Sequence, residues 1–159
     1  MSESFYNSPA GPLLISASEI CITEIKFVNN TIQNAYNELN NSTIRDCISQ
    51  LDEYFSGNRK TFTLPLDPQG TAFQKQVWAE LQKIPFGKTT SYLELAILMG
   101  DAKKIRAVGG ANGRNPIAII VPCHRVIGSD GSLVGYAGGL DKKRWLLQFE
   151  GSLNPDLFS

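Results

Sequence analysis

Ile117-Ala118-Ile119-Ile120-Val121-Pro122-Cys123-His124-Arg125 sets an apolar run, a proline, a thiol and the only histidine of the chain in one line. The apolar residues predict a buried strand, and Pro122 predicts that it stops in a turn. A cysteine in this place has two readings. The common one is a small buried hydrophobe. The other is a nucleophile fixed at the end of a rigid element. That second reading needs a base, because cysteine reacts as the thiolate and a free thiol is mostly protonated near neutrality. Adjacent side chains on a strand point to opposite faces, so His124 can take the proton only if the chain turns or a water bridges the gap.

The surroundings favour the second reading. Asn115-Pro116, Gly135-Tyr136-Ala137-Gly138-Gly139 and Glu150-Gly151 each set an irregular or polar feature beside an apolar segment. Glu150 follows Leu146, Leu147 and Phe149 in the last turn of a predicted helix, where the negative end of the dipole disfavours a carboxylate. Lys142-Lys143-Arg144 crowd the first turn, where positive charge is disfavoured. A helix that breaks the charge rule at both ends points to constraints beyond its own stability. The basic end is a candidate phosphate contact and the acidic end a candidate partner for His124.

At 159 residues, with 42% hydrophobic and 19% charged content, the chain is expected to be soluble, with one good core or two small subdomains. No apolar run approaches the ~20 residues of a membrane span. Met1-Ser2-Glu3-Ser4 lacks the basic start of a signal peptide, so an intracellular protein is expected, cytoplasmic or, in a eukaryote, nuclear. Cys21, Cys47 and Cys123 leave an odd thiol under any pairing, which suits a reducing compartment. With no CxxC and one histidine, no metal is expected. The net charge is zero but unevenly spread: residues 1–86 carry six basic and nine acidic side chains, and residues 87–159 carry nine and six. A basic half holding the reactive stretch is compatible with nucleic acid, although such asymmetry is often just two solvated faces.

Leu13–Ala17 and Ile20–Phe27 read as two strands of a hairpin around Ser18-Glu19, with Cys21 as a core residue. Asn29 through Asn41 reads as turn. Ile44, Cys47, Ile48, Leu51, Tyr54 and Phe55 recur at helical spacing, with Ser42 as the N-cap and Gly57 as the stop. Thr61–Leu64 reads as a short strand and residues 65–70 as a linker. Thr71-Ala72-Phe73-Gln74 has capping-box form ahead of Val77, Trp78, Leu81 and Ile84. Ser91-Tyr92-Leu93-Glu94 opens a second helix that Gly100 closes. Asp101 caps a third, expected from Lys103 to Val108 and ending at Gly109-Gly110, with Ile105 and Val108 facing the core. Arg106, Ala107, Gly110 and Lys103 are left for the outer surface, and their small members let a partner come close. Two short helices joined through glycine outline a helix-turn-helix.

Asn112-Gly113-Arg114-Asn115-Pro116, Pro122-Cys123-His124-Arg125-Val126 and Gly135-Tyr136-Ala137-Gly138-Gly139-Leu140 resemble the O6-alkylguanine-DNA alkyltransferase family. The match runs back through Ser91-Tyr92 and Arg106-Ala107-Val108-Gly109-Gly110 and forward to Glu150-Gly151; residues of the first half fit only in size and strand-rich pattern. The resemblance implies an α/β chain with an N-terminal ribonuclease-H-like strand-and-helix subdomain, residues 1–68. A mostly helical C-terminal subdomain, residues 69–159, would carry a winged-helix-like helix-turn-helix. It also implies direct reversal of DNA damage: the methyl or other alkyl group of an O6-alkylguanine, extruded from duplex DNA, moves irreversibly to Cys123 in a single turnover.

By resemblance, His124 takes the thiol proton through a water and is oriented by Glu150, Tyr92 donates a hydrogen bond to the departing base, and Asn115 holds the turn. Val126, Tyr136 and Ala137 form the base pocket. Arg106 fills the space of the extruded base from a helix in the minor groove, with Lys103, Lys104, Tyr92, Ala107, Gly109 and Gly110 on the DNA-facing surface. The expected partner is double-stranded DNA bearing the lesion, bound by a monomer, with no cofactor and no membrane. On this reading Glu150→Gln slows transfer and leaves folding largely intact. Lys104 and Ile105 are bulkier than the small residues typical of the family before this arginine. The alternative is a non-catalytic sensor of alkyl lesions, against which Cys123 itself argues. A cysteine hydrolase is disfavoured because no oxyanion-hole motif is visible. A helix-turn-helix regulator is disfavoured because the Ala107, Gly109, Gly110 surface offers no polar side chains to read bases.

Overall fold

The computed structural model describes residues 1–29 and 40–153, so most of the Asn-rich stretch read as turn lies outside the described residues. The chain divides into two compact units, Met1–Gln69 with Pro116–Ala118, and Gly70–Asn115 with Ile119–Ser159. Among the described residues no helix is long and apolar enough to cross a membrane.

The first unit is an antiparallel meander, β1 (Ser2–Ser8), β2 (Gly11–Ala17) and β3 (Ile22–Phe27), with helix α1 (Ser42–Phe55). Alternation decides β2: Leu13, Ile15 and Ala17 are buried, and Ile22 and Ile25 on β3 join them. The polar β1 escapes a propensity reading; its full ladder with β2, from Ser2 opposite Ala17 to Ser8 opposite Gly11, makes it a strand. Ile44, Cys47, Leu51 and Tyr54 bury the helical stripe. The N-cap is Asn41, one residue before the expected Ser42. Its carboxamide accepts from Ile44 N at 3.0 Å and donates to Ser18 O at 2.9 Å, tying the helix start to the hairpin turn. Gly57, at φ 85°, follows the end of the helix as expected. Cys21 is only partly buried, not a core residue. Thr61–Leu64 is no strand: the Gln50 side chain accepts from Thr63 N at 2.9 Å and donates to Thr63 Oγ1 at 3.0 Å, taking the place of a strand partner.

In the second unit, α2 (Ala72–Leu81) opens with a complete capping box between Thr71 and Gln74 and buries Val77, Trp78 and Leu81. Two-residue strands β4 (Thr90–Ser91) and β5 (Val126–Ile127) pair in parallel. Ser91 caps α3 (Tyr92–Leu98), Gly100 at φ 109° ends it, and Asp101 caps a 3-10 turn, Ala102–Lys104, that leads into α4 (Ile105–Gly113). The helix-turn-helix is therefore present, with two corrections. The third helix runs through Gly109-Gly110 to Gly113, held by burial of Val108, Ala111 and Asn112 at helical spacing. Ile105 is 39% exposed instead of core-facing, because it opens the helix beyond that packed line. Trp78 Nε1 donates to Ala111 O at 2.8 Å, fixing α2 against α4. Helix α5 (Leu140–Phe149) closes the unit on Leu146 and Leu147.

The apolar run before the cysteine is buried but is not a strand. Ile117 alone pairs, by a parallel bridge to Ile25 in the first unit. Ala118 to Ile120 turn, with Ile119 at φ 73°. A left-handed conformation at a β-branched residue costs on the order of 1–3 kcal/mol and persists only where the surroundings over-determine it. Here Ile119 and Val121 are buried and Asn115 Nδ2 donates to Val121 O at 2.8 Å. The chain leaves Pro122 into a 3-10 turn, Cys123–Arg125.

Candidate active site

The 3-10 turn takes away the alternation that would have sent Cys123 and His124 to opposite faces. His124 is wholly buried and its Nε2 lies 2.9 Å from Glu150 Oε2. Nε2–H is the donor in that bond, so the lone pair of a neutral ring sits on Nδ1, which has no hydrogen-bond partner among the described residues. Glu150 is the C-cap of α5 and is itself buried. Arg125 grips it side-on with one edge of the guanidinium: Nε donates to Oε1 at 2.8 Å and Nη2 to Oε2 at 2.9 Å. Nη1 of Arg125 donates to Ile84 O at 2.6 Å, and the guanidinium lies 5.9 Å from the Phe86 ring centre.

Burial disfavours the Glu150 carboxylate, but hydrogen bonds from His124 and Arg125 and the charge of Arg125 outweigh it and hold the group at about 2. Burial lowers His124, with Glu150 acting in the opposite direction. Since Arg125 already neutralises the carboxylate, the neutral imidazole is the resting form. Cys123 is 6% exposed. Burial pushes its thiol up, against a hydrogen bond from Asn115 and the charge of Lys143. A thiol raised in this way needs a base at the moment of reaction. Cys47, raised by burial to about 12, has no such company and is packing.

Tyr92, the first residue of α3, donates its hydroxyl to Val134 O at 3.0 Å, and burial raises it, so the phenol keeps its proton. Its ring lies against Gly109, where a Cβ would meet it at 3.8 Å. Asn112 Nδ2 reaches Cys123 O at 3.4 Å from the last turn of α4. Val126 is buried on β5, Tyr136 is half-buried with its hydroxyl raised well above the usual value by burial, and Ala137 is exposed. Lys103, Lys104, Arg106, Ala107 and Gly110 are exposed, and Gly109 is partly so. Lys104 Nζ donates to Met99 O at 3.1 Å, across the 3-10 turn.

The structure thus joins His124, Arg125 and Glu150 in one hydrogen-bonded set, places Asn115 against the turn that carries Cys123, and puts the basic, small-residue surface on the 3-10 turn and α4. Sequence reading missed Arg125, although its signal, a cation next to the histidine, was in the motif. It also missed Asn112. Lys143, expected at a phosphate, is completely buried and donates to Val134 O at 2.9 Å. The same carboxylate holds Arg125, so Glu150→Gln, expected from sequence to leave folding largely intact, should now also cost stability, because it leaves a buried guanidinium without its counter-charge.

A thiol in this setting, on a unit with an exposed basic helix-turn-helix, defines a class of DNA-directed alkyl acceptors. The profile of the 6-O-methylguanine DNA methyltransferase DNA-binding domain matches residues 72–152, and that of the family's ribonuclease-like domain matches residues 1–68. The chain belongs to this family. It is 46% identical over 156 residues to a methylated-DNA–protein-cysteine methyltransferase of Methanosarcina acetivorans, covering 96% of this chain and 99% of that protein. A protein of the same description from Mycobacterium leprae is 46% identical over 91% of this chain and 88% of its own. Among solved structures, Mycobacterium tuberculosis OGT in complex with DNA superposes with a TM-score of 0.86 at 42% identity, covering 99% of this chain and 98% of that one.

Proposed function

We propose that this protein repairs DNA by direct reversal, moving the alkyl group of O6-alkylguanine to Cys123. The observation that carries the reading is the orientation of His124: Nε2 is committed to Glu150 and Nδ1 is left to accept a proton. In the step, the sulfur attacks the alkyl carbon, the S–C bond forms and the C–O6 bond breaks with its electrons left on the purine. The thiol proton passes through a water to Nδ1, and the resulting imidazolium lies against a carboxylate that is already ionised. Glu150 therefore needs no proton of its own. Tyr92 exchanges Val134 O for a ring nitrogen of the departing base and donates to it as charge develops there. The imidazolium then gives its proton up to water and the purine anion takes one from water, so the thiol proton ends in effect on the purine, His124 returns to neutral, and the balance is a thiol consumed and a thioether gained. No group in the site restores the thiol, and each molecule acts once.

The DNA-facing surface is α4. Arg106 is exposed there between Ile105 and Ala107, and entry into the minor groove with Arg106 replacing the extruded base offsets part of the lost stacking, on the order of a few kcal/mol. One copy would act on one lesion. The test is stoichiometry: with a duplex bearing O6-methylguanine in excess, repaired base should plateau at one per protein molecule. Continued turnover would refute the single-use reading, and tight binding without any repair would favour a lesion sensor.

A further inference from the structure

Asn112 stands in the last turn of α4 at 2% exposure, and the two polar atoms of its side chain are placed unequally. Nδ2 donates to Cys123 O at 3.4 Å. Oδ1 has no hydrogen-bond partner among the described residues. The bond to Cys123 O settles which way the planar amide faces, so Oδ1 is turned away from that carbonyl. A buried acceptor left unpaired costs stability, and a fold that keeps one calls for a reason.

The neighbours of Asn112 supply it. Gly109 lies one turn earlier on the same face of α4, and the Tyr92 ring covers it: a Cβ built there would meet the ring at 3.8 Å. Asn112 is next along that face, where a hydrogen bond from its side chain works against the rise that burial causes in the Tyr92 phenol. Asn112 thus touches both the phenol that donates to the departing base and the backbone of the residue that receives the alkyl group.

Chemistry limits what can pair with Oδ1. In O6-alkylguanine the ring nitrogens free to bond are all acceptors, because alkylation at oxygen leaves the ring without its N–H. The exocyclic amine is the only hydrogen-bond donor left on the base. That amine is carried by the ring carbon between two of those nitrogens. A donor and an acceptor set side by side, the Tyr92 hydroxyl and Asn112 Oδ1, therefore match a ring nitrogen and the amine next to it.

We infer that Asn112 is a base-reading residue of the site: with Nδ2 held by Cys123 O, its Oδ1 accepts from the exocyclic amine of the extruded guanine while Tyr92 donates to the neighbouring ring nitrogen. The inference rests on the transfer reading above for what enters the site. It gives the protein a means of telling O6-alkylguanine from an O6-alkylated purine that lacks the amine and leaves Oδ1 unpaired. Asn112 makes and breaks no covalent bond; its contribution is to binding and alignment.

The experiment uses the whole chain and two duplexes that differ in one group, O6-methylguanine and O6-methylhypoxanthine, the second being the same base without its amine. Single-turnover transfer is timed for the parent, Asn112→Leu and Asn112→Ala, with thermal unfolding as the check of fold. The parent should prefer the amine-bearing lesion about tenfold, and in both variants the preference should shrink to within about twofold. Any harm the substitutions do to the turn at Cys123 falls on both lesions alike and cancels in the ratio. A preference kept in a folded variant overturns the inference. So does a parent that treats the two lesions alike, an outcome that needs no variant. Equilibrium binding of both duplexes to Cys123→Ser protein, with and without the Asn112 substitutions, reads the same ratio without any chemistry. If the parent transfers from neither duplex the alkyl-acceptor reading fails, and the binding ratio still decides for or against Asn112.

Discussion

Glu150 is the residue on which chemistry and stability meet. Glu150→Gln keeps the shape and removes the charge, stranding Arg125 in a buried site and taking away the acceptor that orients His124. It should cost about 3 kcal/mol in denaturant unfolding and slow transfer by about a hundredfold; a variant as stable as the parent would show that Arg125 does not depend on this pair. The pH dependence has a definite sign. Glu150 is depressed from 4.5 to about 2, so its contribution is present above about 4.5 and is lost as pH falls through about 2. His124, lowered from 6.5, adds a loss that begins as pH drops below 6.5, because the unfolded ring takes up protons more readily. Lys143 acts at the other end: its burial costs stability below about 8, and the cost is relieved as pH rises towards 10.5. Urea midpoints across pH should therefore fall on the acid side first. Asn115→Ala removes the donor to Val121 O and leaves a buried carbonyl, about 1–3 kcal/mol, and it should slow transfer by loosening the cysteine turn. The identities of these residues were legible because motif and chemistry coincide in Pro122-Cys123-His124-Arg125. The pairing of His124 with Glu150 was legible too, from the carboxylate misplaced at a helix end; that of Arg125 with Glu150 was not, since the two meet across more than twenty residues of chain.

Elements were legible where a local rule and the packing agree. The capping box of α2 stands as read, and Thr71→Ala should cost about 1 kcal/mol of thermal stability. The stripe of α1 and the Gly100 stop of α3 also stand. Failures came where long-range order overrides local preference. β1 is a strand only because β2 pairs with it, and the apolar run before Cys123 turns instead of extending because Asn115 and burial hold Ile119 at φ 73°. The continuation of α4 through Gly109-Gly110 likewise follows from the packing of Val108, Ala111 and Asn112, not from propensity. For α4 the expected outcome at this scale is a separation of effects. Arg106→Ala should weaken capture of lesion-bearing duplex by about tenfold, on the order of 1.4 kcal/mol, with Cys123 ionisation unchanged. A shift in the ionisation midpoint would mean that α4 also tunes the thiol.

Across the whole molecule, charge and chemistry coincide. The half from residue 87 onward carries nine basic and six acidic side chains and also holds the thiol, its proposed base and the exposed face of α4. Duplex affinity should fall linearly with the logarithm of salt concentration, and Lys103→Gln should reduce that slope by about one; an affinity indifferent to salt would remove the basic face from the binding account. The first unit carries its own core, and no side chain of the proposed relay belongs to it. The central claim is covalent and is best tested covalently, by intact mass after incubation with a short duplex bearing O6-methylguanine. The account predicts a gain of one methyl group, mapped by peptide analysis to Cys123 and absent from Cys123→Ser. An unchanged mass, or a methyl group found on Cys21 or Cys47, would contradict it.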